Sequence, residues 1–190
     1  LNSIGLRSKN NVVDVTNFIM MNYGIPIHAF DADKIKGAEI HIRFAKDDET
    51  ITTIDGKEIH LKSDNLIIAD KEEPIAIAGV MGGLNSSVTD KTKNVLIECA
   101  YFDPICIRRS SKSCNISSDS SRRYERGVDF KILPKVLYET FQLLLNFSKN
   151  DQKNDFIDLI ESKFINKKIV FNYDECNNFI GVKIDINEYT

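Results

Sequence analysis

The chain has 190 residues, 42% hydrophobic and 28% charged, with a formal net charge of −3; this suits one sizeable globular domain, or one domain with part of another. The small negative charge excludes a global basic field for non-specific nucleic-acid binding, and DNA is not an expected partner. No run is long and apolar enough for a membrane span or shaped like a signal peptide, so no membrane partner is expected and a cytoplasmic location is the default. Cys99, Cys106, Cys114 and Cys176 lack paired spacing, and His28, His41 and His60 are far apart, so no metal site is expected. The chain starts at Leu1 rather than Met, which points to a piece of a longer protein.

Val12, Val15, Ile19 and Tyr23 recur at helical spacing and predict a helix over 11–23. Gly24 and Pro26 stop it. Residues 25–35 read as a structured turn leading into a strand. Ile40, Ile42 and Phe44 alternate with His41 and Arg43, as in a half-buried strand. Residues 51–54 and 57–61 flank Asp55-Gly56, a two-residue hairpin signal. Short apolar strands are expected at 65–70 and 74–80, broken by Gly79, Gly82 and Gly83. Residues 94–102 read as a strand buried on both faces, and 104–110 as a short helix opened by proline. A second long helix is expected over 130–147. The polar stretch 148–155 marks a domain boundary, followed by a linker to 166. Beyond it, a strand at 168–172 and a helix at 174–179 read as the start of a second, incomplete domain. Many strands with two long helices, and no regular strand–helix alternation, predict an α+β fold with mostly antiparallel sheets.

The run SSDSSRRYERGVD, residues 117–129, holds four serines and three arginines among thirteen residues. It lacks the pattern of a core-facing helix or strand, and its hydroxyls and guanidiniums suit phosphates, sugars and carboxylates. Six basic residues against two acidic ones between 104 and 126 predict a local positive face. The glycines of GVMGGLNSS form no phosphate loop, since no Lys-Ser or Lys-Thr follows. They mark either a turn needing positive φ or a place where backbone approaches a ligand closely. His28 follows a helix end in a rigid turn, structural or chemical in role. Glu98 interrupts the apolar run VLIECAY; it is either outward-facing, ion-paired, or a carboxylate waiting for a ligand hydroxyl.

Four strings stand in order: RSKNNVVDVTNFIMMNYGIPIHAFD, IAGVMGGLNSSV, NVLIECAYFDP and SSDSSRRYERGVD. Together they resemble the B3/B4 module of the β subunit of bacterial phenylalanyl-tRNA synthetases, over residues 1–148. The tail from 167 resembles the start of the B5 domain that follows it. The resemblance implies a layered β/β/α fold over 1–150 and post-transfer editing: hydrolysis of tyrosine wrongly esterified to phenylalanine tRNA. By motif position, Glu98 would read the tyrosine hydroxyl and Gly82 would line the pocket. His28, beside Pro26, would face the ester and the terminal adenosine, and Arg7 would help hold that end of the tRNA. Ser118 and Ser120 would form the opposite wall, with His28 and hydroxyls from the RNA or from Ser118 orienting an attacking water. The family more often has Thr and Ala at these two serine positions. The resemblance implies no cofactor for this piece, and ATP with magnesium for a parent ligase. That parent would pair with an α subunit as an α₂β₂ tetramer and act on the 3′ end of tRNA(Phe). Two further readings stand beside it: a tRNA-contacting module without editing, and an accessory domain of the lysidine synthetase type.

Overall fold

Asn11–Tyr23 forms the first helix, α1. The Asn10 side chain accepts a hydrogen bond from Val13 N at 2.9 Å, capping the first turn, and Asp14 accepts one from Lys9 N at 2.9 Å, which fixes the chain entering the helix. Gly24 ends it at φ 72°, its N–H returned to Met20 O. The computed structural model describes residues 1–147, 156–159 and 168–189. The expected boundary at 148–155 and most of the expected linker 151–166 lie outside them. The chain divides into two units, Leu1–Asn150 and Asp151–Thr190.

In the first unit eight strands follow α1: β1 Ile27–Asp31, β2 His41–Phe44, β3 Thr50–Thr52, β4 Glu58–His60, β5 Leu66–Ala69, β6 Pro74–Ile77, β7 Met81–Gly82 and β8 Val95–Cys99. Among the described residues every pairing is antiparallel. One sheet runs in the order β2-β5-β6-β7, β3 pairs with β4, and β1 pairs with β8. Three helices follow: α2 Pro104–Ser113, α3 Asp119–Tyr124 and α4 Leu133–Leu145. The architecture is α+β.

Two apolar clusters hold this unit. Val15 and Ile19 of α1 and Val136 of α4 bury against Ile25 and Ile27, with Ile97 and Cys99 packed alongside. The larger cluster lies on the other side: Phe30, the inner residues of β5 and β6, and Phe102, Ile107 and Tyr124. The β1–β8 ladder is therefore a layer between the α1–α4 helices and the larger sheet. Its alternate residues face opposite ways.

Several expectations are corrected. The segment after α1 is itself a strand, β1, and not merely a turn into one. The alternation in β2 is present, but Ile42 and Phe44 are each 52% exposed, because β2 is the sheet's edge and nothing among the described residues covers that side. The hairpin loop has three residues, not two: Thr53 N donates to Lys57 O, and Gly56 takes φ 81°. β8 is only half-buried, having one neighbouring strand. The second long helix begins as a 3₁₀ turn, Phe130–Ile132, before α4.

In the second unit Tyr173–Ile180 forms helix α5, capped by Asn172 and ended at Gly181. Residues 168–172 form no strand; Ile169 and Val170 are almost wholly exposed, and no partner strand stands among the described residues.

Ile19 is sealed from solvent, whereas Phe18 beside it is about half exposed. Ile19→Ala should lower unfolding free energy by about 3 kcal/mol, and Phe18→Ala by about 0.5 kcal/mol or less. Urea denaturation monitored by circular dichroism checks both.

Candidate functional site

The register of β1 against β8 sets His28 directly opposite Glu98, and Phe30 opposite Leu96. Ile27 and Cys99 form the neighbouring pair and turn to the helix layer. His28 and Glu98 thus share the face turned away from those helices. Directly opposed side chains in an antiparallel pair lie within about 5.5 Å at Cβ.

The His28 ring stands edge-on to Phe30, centroids 4.4 Å apart. Its Nε2 is buried and has no hydrogen-bond partner. A Cβ added to Gly82 would come within 2.5 Å of His28 Cε1 and 2.9 Å of Nε2. The imidazole therefore lies against bare backbone, and a side chain at position 82 would have to displace it. Gly83 is bare for a related reason, since a Cβ there would meet Ile75 O at 2.6 Å. Of the three glycines only Gly79 has positive φ, 64°. Close approach explains Gly82 and Gly83, and turn geometry explains Gly79.

Glu98 is half-buried and forms no ion pair or hydrogen bond among the described residues. The ion-paired reading of this carboxyl is thereby overturned. Burial alone pushes its pKa up to about 7, and burial alone pushes that of His28 down to about 4. Near pH 6 both groups are neutral. The Glu98 carboxyl is left with hydrogen-bonding capacity that the chain does not use, whereas the unpartnered His28 Nε2 is shut in against the Gly82 backbone.

Ser118 and Ser120 sit at the start of α3. Ser118 accepts from Ser121 N at 3.0 Å, and Ser121 Oγ accepts from Ser118 N at 3.0 Å, closing a capping box. Ser118 Oγ donates to Val80 O at 2.7 Å, and Ser120 Oγ donates to Gly79 O at 3.0 Å. Both hydroxyls thus tie α3 to the turn that leads into Gly82. Ser118 thus spends its proton on Val80 O and holds the wall, with one oxygen lone pair left to accept from a water. Pro26 is buried just before β1. Arg7 is exposed ahead of α1, and no contact joins it to His28 or Glu98.

The polar run 117–129 is not excluded from the core, as its composition suggests. Ser121 and Tyr124, three residues apart on α3, are almost fully buried, while Arg122 and Arg123 pair with Asp119 on the outer side. Sequence reasoning missed Tyr124 and Phe30 as parts of the site. The signal for Tyr124 was its place as a rare large apolar residue in that run.

The expected positive face is present on α2. Arg108, Arg109 and Lys112 are exposed around a groove of about 300 Å³, with Ile105 and Glu125 also lining it. Among the described residues no three His, Cys, Asp or Glu side chains gather where they could hold a metal ion. No helix among them is long and apolar enough to cross a membrane.

The profile of the family described as "B3/4 domain" matches residues 1–149. The chain is 42% identical over 188 residues to the phenylalanine–tRNA ligase beta subunit of Geobacter sulfurreducens, covering 99% of this chain and 24% of that protein. It is 40% identical to that of Carboxydothermus hydrogenoformans over 97% of this chain and 23% of that protein. For Protochlamydia amoebophila the values are 42%, 97% and 23%. The chain spans about a quarter of the length of these curated relatives.

The opposed pKa shifts give a test of the site's electrostatics. Glu98 holds its proton in the folded state up to about pH 7 but loses it near 4.5 when unfolded, so its burial costs stability progressively as pH rises from 4.5 to 7. His28 resists protonation until about pH 4 when folded but takes a proton near 6.5 when unfolded, so stability is lost as pH falls from 6.5 to 4. Each slope is about 1.4 kcal/mol per pH unit, and between pH 4.5 and 6.5 they oppose each other. Glu98→Gln should leave a stability that rises with pH over that window, and His28→Gln one that falls. Urea midpoints across pH 4–7, compared with the parent chain, measure both slopes.

Proposed function

Because the chain belongs to the B3/4 domain family, we propose that it is the editing module of a phenylalanine–tRNA ligase beta subunit, hydrolysing tyrosine esterified to phenylalanine tRNA. The observation that carries this reading is the register that opposes unpaired Glu98 to unpartnered His28, with bare Gly82 against the imidazole.

The discrimination problem is a single hydroxyl. A site that must accept tyrosine and refuse the smaller phenylalanine cannot use size. A half-buried carboxyl without a partner solves it: the tyrosine hydroxyl donates to Glu98, and phenylalanine leaves the carboxyl desolvated and unsatisfied. Because burial holds this carboxyl near pKa 7, the penalty on phenylalanine grows as the group ionises.

Cleavage is attack of water oxygen on the ester carbonyl carbon. The carbonyl–ribose oxygen bond breaks, the ribose oxygen takes a proton, and free tyrosine and tRNA leave. His28 is neutral at physiological pH, and a neutral imidazole can hydrogen-bond that water. With a pKa near 4 it is too weak a base to hold the proton for long, so its part is orientation rather than full abstraction. Gly82 and Pro26 bound the pocket, Ser118 and Ser120 hold its wall, and Arg7 contacts the terminal nucleotide. The parent enzyme would be a cytoplasmic complex with an α subunit; its ATP and magnesium have no part in this step.

The test is deacylation of tyrosyl- and phenylalanyl-tRNA(Phe) by the complete beta subunit assembled with its partner. His28→Ala should lower the tyrosyl rate about a hundredfold. Glu98→Ala should lower the tyrosine-over-phenylalanine preference by a factor on the order of 10² or more. The parent preference should strengthen as pH rises through 7, and this dependence should vanish in Glu98→Ala. Wild-type rates in both variants would sink the assignment and favour a tRNA-contacting module without editing.

A further inference from the structure

Tyr124 touches both strands of the site from a third element. Its side chain is 2% exposed, and its ring packs edge-on against Phe102, centroids 5.2 Å apart. Its Oη lies 3.1 Å from Ala100 O and 3.2 Å from Pro26 O. The ladder pairs Ile27 with Cys99, so one step further along it would pair Pro26 with Ala100. Proline has no N–H to give to that partner, and the ladder stops at Ile27–Cys99. The phenol stands across the stopped end, its proton shared between the carbonyls of the two strands. Pro26 is two residues from His28, and Ala100 two residues from Glu98.

We propose that Tyr124 is a positioning residue that staples β1 to β8 and so fixes His28 relative to Glu98. This rests on the editing reading above. Ring and hydroxyl have separable tasks: the ring fills the core beside Phe102 and Gly79, while the hydroxyl alone reaches the strands. Burial first, then the neighbouring Glu98 and Cys99 charges, hold the phenol well above its ordinary pKa, so the proton stays available for donation. Tyr124 also lies on α3, whose serines hold the carbonyls of Gly79 and Val80. One short helix thereby fixes both strands and the glycine turn.

The experiment uses the full-length chain in its assembled enzyme and compares Tyr124→Phe with Phe102→Leu, which loosens the same packing and leaves the hydroxyl. Tyr124→Phe should speed amide exchange in β1 and β8 about tenfold while leaving β5 and β6 unchanged. Its kcat for tyrosyl-tRNA deacylation should fall about ten- to a hundredfold with KM within about twofold. Phe102→Leu should lower Tm but keep kcat. The staple is overturned if Tyr124→Phe retains wild-type exchange and kcat, or if Phe102→Leu at equal loss of Tm loses kcat equally. A wild-type enzyme that leaves tyrosyl-tRNA intact overturns the editing reading and this one together; an active wild type with an unaffected Tyr124→Phe overturns this one alone.

Discussion

The pairing of β1 with β8 is the constraint on which the candidate site depends. These strands are distant in sequence, and α1 and α4 pack against one side of their ladder. Ile27, Ile97 and Cys99 are committed to that side, with Val15, Ile19 and Val136 behind them. A slip of one residue would send those apolar groups to the opposite face and bring His28 or Glu98 into the helix layer. The apolar side therefore enforces the position of two polar groups that make no stabilising bond of their own. Their isolation is costly, and the packing behind them offsets it.

The rest of the site is backbone brought close to that pair. Gly82 presents main chain where any side chain would strike the imidazole. The turn before it is held through its carbonyls, by two serine hydroxyls at the head of α3. A carbonyl held by a hydroxyl leaves no bulk in the space beside it, so the wall is both fixed and thin. A threonine in place of Ser118 would keep that hydroxyl, whereas an alanine in place of Ser120 would remove the second tie. The two hydroxyls thus act on the turn's rigidity, since both protons point to main chain and away from use as pocket donors.

How far the sequence could be read varies by element, for physical reasons. α1 was legible to its end residues because its apolar spacing, Gly24 and Pro26 all agree. β1 was not: IHAFD has no simple alternation, because its two faces serve an apolar layer and a polar site. The exposed flank of β2 was misread since alternation reveals a two-faced strand without revealing what covers each face. Residues 168–172 carry a strand-like composition, but a strand exists only with a partner. Among site residues, His28 and Glu98 were legible as oddities of type and place. That they are directly opposed was not, because register is set by packing. Tyr124 was hidden by its polar neighbours; its burial follows from a three-residue spacing with Ser121 on a helix too short to show periodicity.

The long separation between β1 and β8 also bears on the order of assembly. β2 to β7 close through short connections and local hairpins, which need little chain entropy. The β1–β8 ladder closes over all of them, and β8 leaves the ribosome well after β1. During synthesis His28 and Glu98 cannot be opposed until residue 99 has been made, and the α3 helix that holds the glycine turn comes later still. A chain cut before residue 95 would lack β8 and Glu98, and also Phe102, Ile107 and Tyr124 of the larger core. The opposition of His28 to Glu98 is therefore a late event in the synthesis of the chain.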